Sequence, residues 1–171
     1  MGVMLVLLYI FKQKNCSTVY IFSFAIFWIY LMILVSLTLF PIPIIRSPDW
    51  RVPVSSILAR INFTPFRYGV FFNFSSLIIF REIVGNILLT VPFGMGIQYI
   101  TRIKPQIALW AVLAVGLAIE LTQLTISIVI GIRYRTVDVT DVILNTIGSL
   151  IGFIIFLILS LILKSLAKSK K

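Results

Sequence analysis

Residues 106–130 read QIALWAVLAVGLAIELTQLTISIVI, an apolar run carrying a single acidic residue, Glu120, just past its middle. About 20 apolar residues suffice to cross the hydrocarbon of a bilayer as a helix, so this segment spans. A carboxylate placed there costs roughly 2.5–3.5 kcal/mol on insertion scales, and such groups normally face protein or a polar cavity. Asp and Glu together number 5 in the whole chain. One of them in the middle of a span therefore predicts a polar interior built with partners on neighbouring spans.

The remaining sequence fits that reading. Its 171 residues are 60% hydrophobic and only 12% charged, about half the charged share of a soluble domain. Mean hydropathy is +1.12. Three more stretches, 19–40, 83–100 and 142–163, are long enough to span. The expected fold is an all-α integral membrane bundle of about four transmembrane helices, with a long outer loop between the first and second. Residues 19–163 form this domain, after an interfacial or cytoplasmic arm (1–18) and before a basic cytoplasmic tail (164–171). The apolar run 1–11 is short for a span and lacks the charged lead and cleavage site of a secretory signal. The one cysteine, Cys16, excludes an internal disulfide and reads as a packing residue. With no histidine, the commonest general acid/base is missing, and any metal would need oxygen ligands. No metal and no cofactor are expected.

The net charge of +10 suits contact with membrane lipids and orientation in the bilayer before it suggests nucleic acid, which is not expected as a partner. All seven lysines fall on the two ends of the chain and on the turn at 101–105, where Arg102 joins them. The positive-inside rule places these segments, and so both termini, in the cytoplasm. The remaining arginines, 46, 51, 60, 67, 81, 133 and 135, fall on the opposite side. Arginine's planar fork suits carboxylates and phosphates bidentately, whereas lysine acts as a point charge.

The outer loop 41–82 is too long for a mere connector. Pro41, Pro43, Pro48 and Pro53 break any helix at its start; the motif Asn62-Phe63-Thr64-Pro65-Phe66-Arg67 follows, then Phe71, Phe72 and Phe74. Residues 70–80 are too few to span and would lie in the interface or dip into the protein. The Asn-x-Ser/Thr triplets at Asn15, Asn62 and Asn73 are frequent by chance and carry no weight.

Counting at 1.5 Å per residue puts Glu120 roughly 21 Å along its helix, in the outer half of the bilayer. Gln123 shares its face at i+3, and Gly116, a turn below, would admit a close neighbour. The fourth span opens with Asp138, Asp141 and Asn145 on one face, continued by the small-residue pair Gly148 and Gly152. The acids also suit a helix start, where negative charge is favoured. In the second span Asn86 and Thr90 share a face, and Pro92, Gly94 and Gly96 are expected to interrupt the helix. Three spans thus bring Asn86, Glu120, Gln123, Asp141 and Asn145 to one depth, with Arg81, Arg133 and Arg135 in reach. The structural account is a salt-bridge and hydrogen-bond network; the functional one is a pocket whose arginines hold an anionic group.

With these residues in view, the chain resembles the VanZ-like family of bacterial membrane proteins over about residues 62–153. The resemblance rests on the motif at 62–66, Asn86-Ile87-Leu88-Leu89 leading into Pro92-Phe93-Gly94, Ile119-Glu120-Leu121-Thr122-Gln123, and the run from Asp138 to Gly148. Where the family carries one arginine before the acidic pair, this chain has Arg133 and Arg135. The resemblance implies a multi-pass protein of the bacterial cell membrane, linked through the family's founding member to resistance against teicoplanin-type glycopeptides, which carry a lipid tail. No established enzymatic mechanism comes with it.

Three functions follow. The first, non-enzymatic, binds an anionic ligand at the outer leaflet, such as a lipid-linked cell-wall precursor or a lipoglycopeptide. The second is an enzyme acting on a lipid phosphate, with Mg²⁺ on Glu120, Asp138 and Asp141. The third is a small lipid transporter, for which a homo-oligomer would supply the missing pathway. The binding protein is the expected answer.

Overall fold

The lone hydroxyl of Ser17 opens the first helix by accepting the Tyr20 N–H at 3.3 Å, relieving one of the unpaired N–H groups every helix start exposes. The computed structural model describes residues 17–43, 51–66 and 76–169. Over these the chain forms α1 (Thr18–Leu39), a short α2 (Val54–Leu58) in the loop, α3 (Ser76–Thr101), α4 (Pro105–Ile130) and α5 (Val139–Ser169). Among the described residues four helices, all but α2, are long and apolar enough to cross a membrane. There is no strand among them, only an isolated bridge between Asn62 and Asp138.

Local chemistry sets the boundaries. Pro105 begins α4, where its missing N–H costs nothing. Gly131 ends it with φ 69°, a left-handed conformation that suits a residue without Cβ. At about 1.5 Å per residue α5 is longer than the hydrocarbon is thick, so its continuation through Lys164 and Lys168 carries those charges beyond the apolar zone.

Long helices consecutive along the chain run in opposite directions, which sorts the bundle into two ends and leaves α3 and α5 parallel. At one, the Tyr20 hydroxyl donates to the Ile100 carbonyl at 2.6 Å, and Arg102 lies 4.1 Å over the Tyr20 ring. Lys104, Lys164 and Lys168 belong to this lysine end. At the other, Tyr134 and Arg135 donate to carbonyls at the close of α1. Arg133 and the Asn62–Asp138 bridge lie there too.

Between the ends, α3 and α5 are in backbone contact. A Cβ at Gly148 would strike the Ile87 carbonyl, one at Gly152 the Val91 carbonyl, and one at Gly94 the Ser149 carbonyl. Lipid supplies no hydrophobic drive between helices, so close packing and interhelical hydrogen bonds hold such pairs. Both are present. Thr90 is fully buried and donates to the Asn145 carbonyl at 2.7 Å, and Ser149 donates to Val112 at 2.8 Å. Gly116 packs on the Val142 carbonyl, bringing α4 against the same helix.

The expected interruption at residues 92–96 does not occur: α3 runs unbroken through Pro92. Proline removes one donor from the helical ladder, a loss that neighbouring helices can absorb within a bundle. The carbonyl that Pro92 leaves without its helical donor is that of Leu88; at the adjacent residue, the Tyr30 hydroxyl of α1 donates to the Leu89 carbonyl at 2.8 Å and braces this turn. Gly94 and Gly96 serve close approach instead, to α5 and to the Phe27 ring respectively. The helix also begins at Ser76, so Arg81 and Glu82 lie within it rather than before it.

Enlarging Gly152 should therefore separate α3 from α5. Gly152→Leu is expected to cost about 1–3 kcal/mol, measured by unfolding in mixed detergent–SDS micelles. Gly85→Ala, with nothing within 4 Å of the added methyl, should leave the midpoint unchanged or raise it by about 0.5–1 kcal/mol. Equal losses in the two variants would contradict the contact.

Candidate functional site

On α4, Leu117 and Leu121 are each half exposed while Glu120 between them is 2% exposed, so the carboxylate faces the bundle and the leucines face outward. Its Oε2 accepts the backbone N–H of Asp138 at 3.0 Å. Glu120 thereby holds the residue that starts α5.

Asp138 is saturated by local bonds. It caps α5, with Oδ1 accepting the Thr140 N–H at 2.7 Å and Oδ2 accepting the Asn62 amide at 2.8 Å. Asn62 in turn exchanges backbone bonds with Val137 (2.9 Å) and Val139 (3.0 Å), and its Oδ1 accepts the Thr64 N–H. That last bond forms an Asx turn over residues 62–64, leading into Pro65. Beyond it, the Phe66 N–H donates to the buried Thr140 hydroxyl at 3.0 Å. The outer-loop motif is thus a clamp on the start of α5. Arg67, the last residue singled out in that motif, lies outside the described residues, as do Phe71, Phe72 and Phe74.

Beside this clamp lies a cavity of about 210 Å³ lined by Glu120, Gln123, Asn86, Asp141, Asn145 and Arg135, together with Leu37, Thr38, Leu89, Ile119 and Thr136. Asn86 donates to Asp141 Oδ1 at 2.8 Å, and Gln123 donates to the Thr38 carbonyl at 3.0 Å. The Asn145 side-chain oxygen is buried and makes no hydrogen bond. Arg135 turns its guanidinium to the Leu37 and Phe40 carbonyls, at 3.4 and 3.2 Å.

The arginines separate. Arg135 alone of the three expected ones lines this cavity. Arg133 bonds the Ser56 hydroxyl at 2.9 Å. It lines a second hollow of about 80 Å³ with Arg60, Arg135, Tyr134, Thr136 and Ile57. Arg81 is exposed on α3 and lines neither hollow. Asp138 also stays out of the cavity, because both its oxygens serve the clamp. The three carboxylates considered for Mg²⁺ are therefore not assembled: among the described residues no three acids, cysteines or histidines are grouped to hold a metal ion.

Against known families, the VanZ/LLP1 model matches residues 27–160, which takes in α3, α4 and the clamp whole, together with the later part of α1 and most of α5. The chain belongs to the VanZ/LLP1 family. The match extends past the motifs on both sides, into α1 and far along α5, so parts of all four long helices of this VanZ/LLP1 protein lie within the family match. No curated protein and no solved structure matches it.

Sequence reasoning missed several participants. Thr38 contributes a backbone carbonyl, which no side-chain pattern announces. Arg60 and Ser56 come from the loop, where α2 docks through the Val52 N–H on the Gly131 carbonyl at 2.8 Å. Thr140, two residues after a capping Asp, carried a usable signal, since Asp and Thr together at a helix start commonly bond neighbouring backbone.

Removing the clamp's side chain should loosen the start of α5. Asn62→Ala is expected to destabilise by about 1.5–3 kcal/mol, the usual range for a hydrogen bond to a charged group. It should also raise hydrogen exchange at the backbone amides of residue 62 and Val139, which donate to the Val137 and Asn62 carbonyls. Unchanged exchange there would contradict the clamp.

Proposed function

We propose that this VanZ/LLP1 protein binds an anionic lipid-linked or lipid-tailed ligand at the outer leaflet of the bacterial cell membrane, without catalysing a reaction on it. The observation that carries this reading is the hollow lined by Arg60, Arg133 and Arg135, which has no carboxylate in its lining. Three guanidinium groups around one space suit a phosphate or carboxylate, which they meet with paired, charge-assisted hydrogen bonds. The lysines gathered at the other end support a cytoplasmic placement of that end and of both termini. The arginines then face the outer leaflet, where lipid-linked cell-wall precursors and lipoglycopeptides present their anionic groups.

Sequestering such a ligand would lower the access of a lipid-tailed glycopeptide to its target, in keeping with the resistance link of the family's founding member. The enzymatic alternative draws less support. Asp138 is engaged in the clamp, and Glu120 is held against the backbone of α5.

The test uses a susceptible Gram-positive host expressing the protein at matched membrane levels. Wild type should raise the inhibitory concentration of a lipid-tailed glycopeptide and leave that of a tailless one unchanged. Arg133→Ala combined with Arg135→Ala should abolish the effect while insertion persists. Single loss of Arg133 should weaken ligand binding by about tenfold, equivalent to ~1.4 kcal/mol. Full protection in the double variant would overturn the proposal.

A further inference from the structure

The 210 Å³ cavity next to the arginine hollow has the opposite chemistry. Its wall carries acceptors in excess. Glu120 uses one carboxylate oxygen on the Asp138 N–H, and Asp141 uses one on Asn86. The second oxygen of each makes no hydrogen bond among the described residues. Asn145, 2% exposed, adds a side-chain oxygen that is buried and without a hydrogen-bond partner. A buried acceptor left unpaired costs about 1–3 kcal/mol, so a donor from outside the protein would relieve it. The cation in the cavity lining, Arg135, donates to carbonyls of α1 through Nη2 alone and forms no ion pair with either carboxylate.

Three convergent acceptors, two of them carboxylates, call for a compact group with several N–H donors and a positive charge. A primary ammonium has three donors and no acceptor. The adjoining hollow is lined by three arginines and no carboxylate, and Arg135 and Thr136 line both spaces. The two sites are therefore neighbours with complementary preferences.

We infer that the two hollows form one composite site for an aminophosphate head group, the phosphate held by Arg60, Arg133 and Arg135 and the primary ammonium by Glu120, Asp141 and Asn145. This rests on the proposed lipid-ligand reading and narrows its chemistry. The source with that chemistry in a bilayer is an ethanolamine phospholipid; a soluble aminophosphate shares it.

The test is calorimetric titration of the purified full chain in detergent with short-chain phosphatidylethanolamine and with phosphatidylglycerol of the same chains, which lacks the amine. Wild type should bind the ethanolamine lipid about tenfold more tightly. Asn145→Leu loses no side-chain hydrogen bond among the described residues, and Asp141→Asn retains an acceptor for Asn86. Both should bring the preference close to unity while phosphatidylglycerol binding stays as in wild type. Arg133→Ala should weaken both lipids together. Competition by free O-phosphoethanolamine as strong as by the lipid would support the site and assign it to a soluble ligand; much weaker competition would assign it to the lipid.

Equal binding of the two lipids by wild type, with both weakened in Arg133→Ala, would overturn the ammonium site and leave the anion site standing. A preference that survives Asn145→Leu and Asp141→Asn would overturn it as well. Saturation by neither lipid would sink the lipid-ligand reading itself.

Discussion

The hydrogen bond from the Asp138 N–H to the Glu120 carboxylate, 3.0 Å long, ties one membrane helix to the residue that caps the next. In hydrocarbon every polar group must find a partner inside the protein. A glutamate on α4 and an unpaired N–H at the start of α5 answer each other's need. The bond sets the height at which α5 begins, and hence the depth at which Asp141 and Asn145, one and two turns further on, meet the cavity. Asn62 then fixes Asp138 from the loop side through its amide and two backbone bonds.

The remaining organisation follows from how α5 packs. Gly148 and Gly152 let its backbone lie against α3, which brings Asn86 to Asp141 and Thr90 to the Asn145 carbonyl. Gly116 and Ser149 seat α4 on a neighbouring face. α5 is thus the shared wall of the bundle, polar towards the arginine end and apolar towards the lysine end, where Ala108, Val112 and Phe153 form the core. α1 joins last in this hierarchy. It contributes carbonyls from its final turn to Gln123, Tyr134 and Arg135, and the Tyr30 hydroxyl beside Pro92.

The arrangement divides stabilising acids from available ones. Asp138 and one oxygen of Glu120 maintain the frame. Asp141, Asn145 and the second oxygen of Glu120 face a space. The same division holds for the cations: Arg102 stacks on Tyr20 at the lysine end, whereas Arg60, Arg133 and Arg135 border a hollow. A bundle that needed only rigidity would gain by pairing Arg135 with Glu120 or Asp141, and it does not do so. The separation of charge across adjoining hollows is what gives the proposed binding role its chemistry.

The number of spans and their helical character were legible in the sequence. These depend on run length and on the price of a charge in lipid, both local properties. The faces holding Glu120 with Gln123, and Asp141 with Asn145, follow from helical periodicity alone. Three things were decided by tertiary structure. Asp138 shares the sequence pattern of the site yet turns to the loop, because a side chain at a helix cap is captured by nearby N–H donors. Pro92 reads as a break, yet α3 passes through it because α1 and α5 brace the helix there. Arg60 and the Thr38 carbonyl reach the two hollows only through the docking of the loop and of α1. Long-range contact of this kind has no spacing rule, since it depends on where separate helices come to rest against each other.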